Sequence, residues 1–202
     1  MTSEAAIVRI RVVPDREEII AKLRATLDPE RFEHSLRSEK IALALAKKYH
    51  VDKQSAATAA LLHDCARRWD RPGLLKQARR LGLTLDPIRR LEPKLFHGEI
   101  GAWLARHEFG IRSREILNAI ANHTTGRPKM SKLEKVIYLA DHIEEGRDFA
   151  GVDKLRRLAF RDMDRAIFES TSAMIGFLAA RGLPLYLPSV ATRNYYLLEI
   201  KK

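Results

Sequence analysis

The stretch Leu61–Arg67, which reads LLHDCAR, ends an apolar run with a histidine next to an aspartate. A neutral imidazole offers a nitrogen to a metal ion, and a carboxylate offers two oxygens that can bridge two ions. The pair His63–Asp64 alone is a weak indication, because two such residues near a helix end are commonly satisfied by local hydrogen bonds. It becomes informative only if other ligands reach it from distant parts of the chain.

Length and composition predict a single soluble domain. The chain has 202 residues, of which 46% are hydrophobic and 31% charged, as in globular rather than disordered proteins. No apolar run reaches the roughly 18 residues that span a bilayer, and the N-terminus lacks the pattern of a signal peptide. Cys65 is the only cysteine, which excludes an internal disulfide bond and suits a reducing compartment. We therefore expect a cytoplasmic protein without a membrane partner.

The charge balance favours an anionic ligand. The formal net charge is +11, from 37 lysines and arginines against 26 acidic residues. A basic surface attracts polyanions, either a polyphosphorylated small molecule or nucleic acid. The basic residues are spread thinly along the chain, which makes a dedicated nucleic-acid surface the less favoured interpretation. A solvated basic face without a ligand remains an alternative.

Helix signals recur along the whole chain and predict an all-α fold. Asp28–Pro29 joins an N-cap to a proline at the first helical position, Asp52 and Ser113 are further N-caps, and Ser131–Glu134 is a capping box. The predicted helices span about residues 16–27, 30–49, 73–81, 87–92, 97–109, 114–122, 153–159, 162–181 and 190–200, with two more after Asp52 and from Ser131 to Glu144. Between Pro184 and Pro188 the chain is expected to be extended.

The predicted domain covers residues 14–202. Residues 1–13 form an N-terminal extension in which Ile7, Val8, Ile10 and Val12 alternate loosely with other residues. This pattern predicts either one short strand or an unattached extension. We find no internal repeat and no low-complexity segment.

Six side chains far apart in the sequence are candidate metal ligands. Those of a first ion are His34, His63, Asp64 and Asp141, and those of a second are His97 and His123, with Asp64 bridging the two. A set of imidazoles and carboxylates without thiolate suits iron, manganese or zinc. Taken singly, each histidine is better explained by a hydrogen-bonded core or surface position. The apolar neighbours of Asp141 predict that it is partly buried, where an unpaired carboxylate is costly.

The order His…His-Asp…His…His…Asp is more specific than any of its parts, and it resembles the HD-domain superfamily of metal-dependent phosphohydrolases. Over about residues 20–198 the chain resembles the YqeK-type symmetrical bis(5'-nucleosyl)-tetraphosphatases within it. The segments that carry this closer resemblance are Arg31–His34 (RFEH), Ala60–Asp64 (ALLHD), Leu95–Gly98 (LFHG), Ala119–Gly126 (AIANHTTG), Met130–Ser131, Leu139–Glu144 (LADHIE) and Arg193–Asn194.

The resemblance implies an HD-type helical bundle with a metal site between its helices. It implies symmetrical cleavage of diadenosine tetraphosphate into two ADP by metal-activated water, with one or two iron ions, or manganese or another divalent metal. The same six residues would be the ligands, and the catalytic residues would be Asp64, Arg67, His97 and His123. The nucleotide would be held by Arg31, Asp64, Cys65, Ala66, Arg67, His97, His123, Thr124, His142, Arg147, Leu185, Tyr186, Leu187, Pro188, Ser189 and Val190. A homodimer is also implied.

Two other functions remain open from the sequence. The chain could be another HD hydrolase, such as a phosphatase of mononucleotides or a phosphodiesterase acting on a cyclic or guanosine polyphosphate signal. It could also be a non-enzymatic helical domain that binds RNA or a ribosomal partner through its basic surface. The complete ligand set argues against this last function, since a pure binding module has no need of one.

Overall fold

The computed structural model describes residues 15–202, so the strand or extension expected within residues 1–13 lies outside the described residues. In chain order the helices are α1 (Arg16–Thr26), α2 (Pro29–Tyr49), α3 (Lys53–Leu62), α4 (Arg71–Arg80), α5 (Pro87–Leu91), α6 (His97–His107), α7 (Arg114–Asn122), α8 (Lys132–Ile143), α9 (Val152–Ala159), α10 (Met163–Ala180) and α11 (Leu187–Glu199). Two short 3₁₀ segments, Cys65–Arg68 and Pro93–Phe96, were not predicted. The described part of the chain contains no β-strand, which confirms the all-α prediction.

Side-chain caps set the helix starts where the sequence predicts them. Asp28 accepts a hydrogen bond from the backbone N–H of Arg31 at 2.9 Å, and Asp52 accepts one from Ser55 at 2.8 Å. The capping box of α8 is complete, because Ser131 and Glu134 each accept from the backbone N–H of the other.

Three helix ends differ from the prediction by two residues or more. Helix α4 begins at Arg71 instead of residue 73, because Pro72 lies within its first turn. Helix α6 ends at His107, two residues early, and the chain then turns through Gly110, whose φ of 70° favours glycine. Helix α11 begins at Leu187 rather than near Val190. Pro188 lies in its first turn, where a missing N–H costs no intrahelical bond, so the proline starts this helix instead of keeping the segment extended.

Helices α2, α3, α7 and α8 pack against one another at the centre of the fold. Ala56, Ala59 and Ala60 are fully buried on α3, and their small side chains let α3 lie close to its neighbours, as the sequence predicts. Helix α6 packs on α7, and α10 packs on α8, α9 and α11. Within residues 15–202, no helix is long and apolar enough to cross a membrane.

Helices α6 and α7 approach most closely at Gly98. A Cβ atom at this position would lie only 2.5 Å from the backbone oxygen of Ala121. Glycine is therefore required where the start of α6 meets the end of α7. His97 and His123 flank this crossing, so the close approach also sets the separation of two candidate ligands.

We expect Gly98→Ala to lower the free energy of unfolding by about 1–3 kcal/mol, because the added methyl group forces the two helices apart. Gly176→Ala is the matched control, since Gly176 lies within α10 with no neighbour within 4 Å of a built Cβ. It should raise the free energy of unfolding by about 0.5–1 kcal/mol. Chemical denaturation followed by circular dichroism measures both, and equal effects of the two substitutions would contradict this account of the crossing.

Candidate metal centre

The six predicted ligands converge at the ends of five helices. His34 lies on α2, and the pair His63 and Asp64 follows α3 directly; His97 begins α6, His123 follows α7, and Asp141 lies in the last turn of α8. All six side chains are buried except Asp141, which is 14% exposed. The structure thus brings together residues that are more than one hundred positions apart.

Four of these side chains form a first set of donor atoms. The Nε2 atom of His34 lies 3.1 Å from Nε2 of His63 and 3.0 Å from Oδ1 of Asp141. The Oδ2 atom of Asp64 lies 3.7 Å from Nε2 of His34 and 3.8 Å from Nε2 of His63. One ion could therefore contact two imidazole nitrogens and two carboxylate oxygens.

The second set faces the other oxygen of the same aspartate. The Oδ1 atom of Asp64 lies 3.1 Å from Nε2 of His97 and 3.7 Å from Nε2 of His123, and these two nitrogens are 2.9 Å apart. The hydroxyl of Thr124 lies 3.1 and 3.3 Å from the same two nitrogens. Asp64 thus stands between two sets of donors, with one oxygen towards each.

The other ring nitrogen of each histidine is committed to a hydrogen bond. Nδ1 of His63 donates to the carbonyl of Ala60 at 2.6 Å, and Nδ1 of His123 donates to the carbonyl of Ile120 at 2.7 Å. Nδ1 of His97 donates in the same way to the carbonyl of Lys94, three residues earlier. These acceptors lie in the last turns of helical segments, where carbonyls lack intrahelical partners. The proton on each Nδ1 leaves Nε2 free as a ligand.

The protonation states also suit a cation. Burial lowers the pKa of His63 to about 4, which keeps its imidazole neutral at physiological pH. Burial opposes ionisation of Asp64, but the neighbouring His63, His123 and His97 outweigh it and hold the pKa of Asp64 well below its ordinary value. Burial likewise opposes ionisation of Asp141, and His34 and Arg147 outweigh it there, so its pKa is also lowered. Burial opposes protonation of His123, but its hydrogen bond to Asp64 and the charge of Asp141 outweigh burial and raise its pKa. The centre thus combines a neutral His63 with two ionised carboxylates.

The residues present fit a metal ion. Nε2 of His34 and Nε2 of His63 face each other at 3.1 Å although both rings carry their proton on Nδ1. The Nε2 atoms of His97 and His123 face each other in the same way. The single hydroxyl proton of Thr124 can satisfy only one of them. Lone pairs that face each other in a buried site are costly, and a cation between them removes the cost.

Two residues that the sequence prediction missed support the first set. The carboxylate of Glu144 accepts a hydrogen bond from Nδ1 of His34 at 3.2 Å and one from Nε of Arg37 at 2.5 Å. Glu144 lies three residues after Asp141 and Arg37 three residues after His34, so each shares a helix face with a ligand. That spacing is the signal in the sequence from which they could have been predicted.

The predicted arginines lie in different surroundings. Nη1 of Arg31 donates to Oδ2 of Asp64 at 3.0 Å, and Nη2 of Arg147 donates to Oδ1 of Asp141 at 2.5 Å. The backbone N–H of Arg67 donates to the carbonyl of Asp64 at 2.8 Å, and the residue lines a cleft together with Arg31.

A narrow pocket beside the second set holds part of the predicted nucleotide contacts. Its lining includes Thr124, His142, Leu185, Tyr186 and Ser189. The ring of His142 stacks on that of Tyr138 at 4.3 Å, and Nδ1 of His142 donates to the Tyr138 carbonyl.

The remaining predicted contacts do not line this pocket. Leu187 is 73% exposed, and neither Pro188 nor Val190 belongs to the lining. The side chains of Cys65 and Ala66 are buried in the core, and burial raises the pKa of the Cys65 thiol. Both residues are buried as a whole, so neither offers an accessible surface to a nucleotide.

The family model of the HD domain matches residues 31–146, the part of the chain that contains all six predicted ligands. The chain belongs to the HD domain family. A symmetrical bis(5'-nucleosyl)-tetraphosphatase of Halalkalibacterium halodurans is 38% identical over 93% of this chain and 100% of its own length. That of Bacillus subtilis is 35% identical over 90% of this chain and 97% of its own length. The predicted resemblance to these tetraphosphatases is confirmed.

A crystal structure also resembles this fold. It is that of a predicted HD superfamily hydrolase involved in NAD metabolism from Clostridium acetobutylicum. The two chains are 37% identical with a TM-score of 0.88, over 92% of this chain and 98% of the other.

We expect the two sets of donors to hold one ion each. After incubation with Mn²⁺ and removal of free metal, elemental analysis should find about two ions per chain. His123→Ala should reduce this to about one, because only the second set loses a ligand. Asp64→Ala should abolish binding, because both sets lose their shared carboxylate. Full metal content in Asp64→Ala would contradict the bridging position.

We further expect Glu144→Gln to lower the affinity of the first set for Mn²⁺ about tenfold, because His34 loses its charged hydrogen-bond acceptor. Competition with a chelator measures the affinity for Mn²⁺. The control is Glu145→Gln, since Glu145 is half exposed and pairs with Lys40 at 2.6 Å instead. The two variants behaving alike would exclude a specific role for Glu144.

Proposed function

We propose that this protein hydrolyses diadenosine tetraphosphate symmetrically into two ADP. The observation that carries the proposal is the bridging position of Asp64, with one oxygen 3.1 Å from His97 and the other within 3.8 Å of His34 and His63. Two relatives that match nearly the whole chain are named symmetrical bis(5'-nucleosyl)-tetraphosphatases. A two-ion centre next to cationic side chains suits a polyphosphate substrate.

The proposed cofactor is a divalent metal held by His34, His63, Asp64 and Asp141, with His97 and His123 for a second ion. When bound, it supplies a Lewis acid that lowers the pKa of water and polarises a phosphoryl oxygen. Iron remains a prediction that rests on the absence of thiolate ligands and on the family resemblance. The homodimer and the cytoplasmic location also remain predictions.

The chain's own residues would bind and neutralise the tetraphosphate. Arg31 and Arg147 already contact the carboxylates of the centre, so their guanidinium groups lie where phosphate oxygens would approach it. Arg67 adds a third cation from the cleft beside Arg31. The Thr124 hydroxyl, next to His97 and His123, can donate a hydrogen bond to a phosphate oxygen. Such preorganised donors stabilise charge that develops during phosphoryl transfer.

The proposed reaction consumes one water molecule. Water attacks a central phosphorus, the second from one adenosine, and the bond from this phosphorus to the central bridging oxygen breaks. The electron pair of that bond leaves with the second ADP, which the cations stabilise, and the proton released by water passes to solvent or to the leaving oxygen. Both products are ADP because the broken bond lies at the centre of the substrate.

A panel of nucleotides separates this function from the alternatives. We expect ADP as the sole product from diadenosine tetraphosphate, with slower turnover of ATP, guanosine polyphosphates, cyclic nucleotides and NAD. Turnover of another nucleotide without turnover of diadenosine tetraphosphate would reject the proposal. The RNA-binding alternative has no need of the metal centre, and the complete donor set makes it the less favoured function.

We expect Asp64→Ala to abolish hydrolysis, because the variant loses the carboxylate that both sets of donors share. The control is Asp153→Ala, since the side chain of Asp153 is 75% exposed and pairs with Arg156 on α9. Circular dichroism should show the same helical content in both variants. Retained turnover in metal-depleted Asp64→Ala would exclude the proposed role.

A further inference from the structure

A cleft of about 270 Å³ lies beside the metal centre, on the side of Arg31. Four cationic side chains and one tryptophan contribute to its lining: Arg31, Arg67, Arg71, Lys94 and Trp69. Neither Trp69, Arg71 nor Lys94 belongs to the predicted site. Their convergence with Arg31 and Arg67 needs a separate explanation.

The positive charge of the cleft is only partly neutralised from within. Two carboxylates, those of Asp28 and Asp70, also line it, but each caps a helix and accepts a backbone N–H, from Arg31 and Gly73 respectively. Arg71 pairs with Glu92 at 3.3 Å on the exposed surface. The first turns of α2 and α4 thus both open into the cleft, and the positive ends of helix dipoles favour anions.

Two of the cations have no protein partner. Within residues 15–202, the side chains of Arg67 and Lys94 form no ion pair and donate no hydrogen bond. Lys94 is exposed, while Arg67 is half-buried next to the ligand pair that precedes it. Cations that line a cleft without counter-charges are free to bind phosphate oxygens.

The tryptophan gives the cleft an aromatic wall. Trp69 is half-buried, and the guanidinium of Arg68 lies 4.3 Å from its ring centroid. A Cβ atom on Gly73 would lie 3.0 Å from Cβ of Trp69 and 3.3 Å from its Cδ1, so the glycine lets Trp69 lie against α4. An aromatic side chain next to several cations is the combination that binds a base together with its phosphates.

Arg31 joins the cleft to the reacting centre. Its guanidinium lines the cleft and also donates to Oδ2 of Asp64. The pocket around His142 reaches the centre from the opposite set of donors, because Thr124 lines this pocket and contacts His97 and His123. The six ligands therefore have one pocket on the Thr124 side and one cleft on the Arg31 side.

We propose that this cleft is a second nucleotide subsite, which binds the other ADP half of the substrate. Arg67 and Lys94 bind its phosphates, and Trp69 packs against its adenine. The inference rests on the proposed function, because only a dinucleotide with a long phosphate chain needs two nucleotide subsites around one centre. It adds a separate claim, that the second adenosine contributes to binding.

The test compares two substrates that differ by one adenosine. Adenosine 5'-tetraphosphate carries four phosphates but lacks the second nucleoside, and the same cleavage would yield ADP and pyrophosphate. We expect the wild-type protein to favour diadenosine tetraphosphate by about tenfold in kcat/KM. Trp69→Leu should bring this ratio close to one, because the second adenine loses its aromatic contact. Its control is Trp103→Leu, since Trp103 stacks on His107 at 4.2 Å and is not part of the cleft lining.

A second pair of variants tests the phosphate contacts without touching the core. Lys94→Ala removes an exposed side chain and should raise the KM for diadenosine tetraphosphate severalfold. Lys154→Ala removes an equally exposed cation on α9 and should leave KM unchanged. Unchanged substrate ratios in Trp69→Leu, or equal effects of the two lysine variants, would overturn the second subsite.

Equilibrium dialysis with ADP gives a result that does not depend on turnover. Two ADP should bind per wild-type chain and one per Trp69→Leu chain, whereas one ADP per wild-type chain would overturn the proposal. A protein that binds two ADP in this way but fails to cleave diadenosine tetraphosphate would reject the proposed function and support the subsite. A protein that cleaves diadenosine tetraphosphate, but whose Trp69→Leu variant keeps the wild-type ratio of kcat/KM for the two substrates, would support the proposed function and reject the subsite.

Discussion

The buried carboxylate of Asp64 is the constraint on which the rest of the structure depends. An ionised carboxylate removed from water is costly unless charges and hydrogen-bond donors surround it closely. Here the imidazoles of His34, His97 and His123, each on a different helix or at its end, surround the carboxylate. The guanidinium of Arg31 donates a hydrogen bond to it. Helix α3 ends just before Asp64, and α7 ends just before His123, so the central helices bring their polar ends to one point.

Much of the fold could be predicted because its signals are local. An N-cap such as Asp28 or Ser131 hydrogen-bonds within its own first turn, so its effect is visible in a few consecutive residues. The six candidate ligands were predicted from their order along the chain. The spacing of Glu144 and Arg37 places each on the helix face of a predicted ligand, but their pairing with each other depends on the packing of α2 against α8, which the sequence does not show.

The predicted nucleotide segment shows how helical periodicity selects among consecutive residues. The family resemblance assigned all of residues 185–190 to the ligand, but only Leu185, Tyr186 and Ser189 line the pocket. Since α11 begins at Leu187, successive side chains rotate by about 100° around its axis, and a continuous block cannot face one surface. To predict which of these residues face the pocket, one must know where the helix begins, and the sequence left this open because Pro184 and Pro188 were both compatible with an extended segment.

The way the histidines are oriented has a consequence for assembly of the centre. His63, His97 and His123 each take their ring orientation from a carbonyl three residues earlier in their own segment. His34 differs, because its orienting partner, Glu144, lies on another helix. Three imidazoles therefore take their orientation from local turns, whereas His34 is oriented only where α2 packs against α8. Metal binding by the first set thus depends on an intact contact between these two helices, which local helix formation alone does not provide.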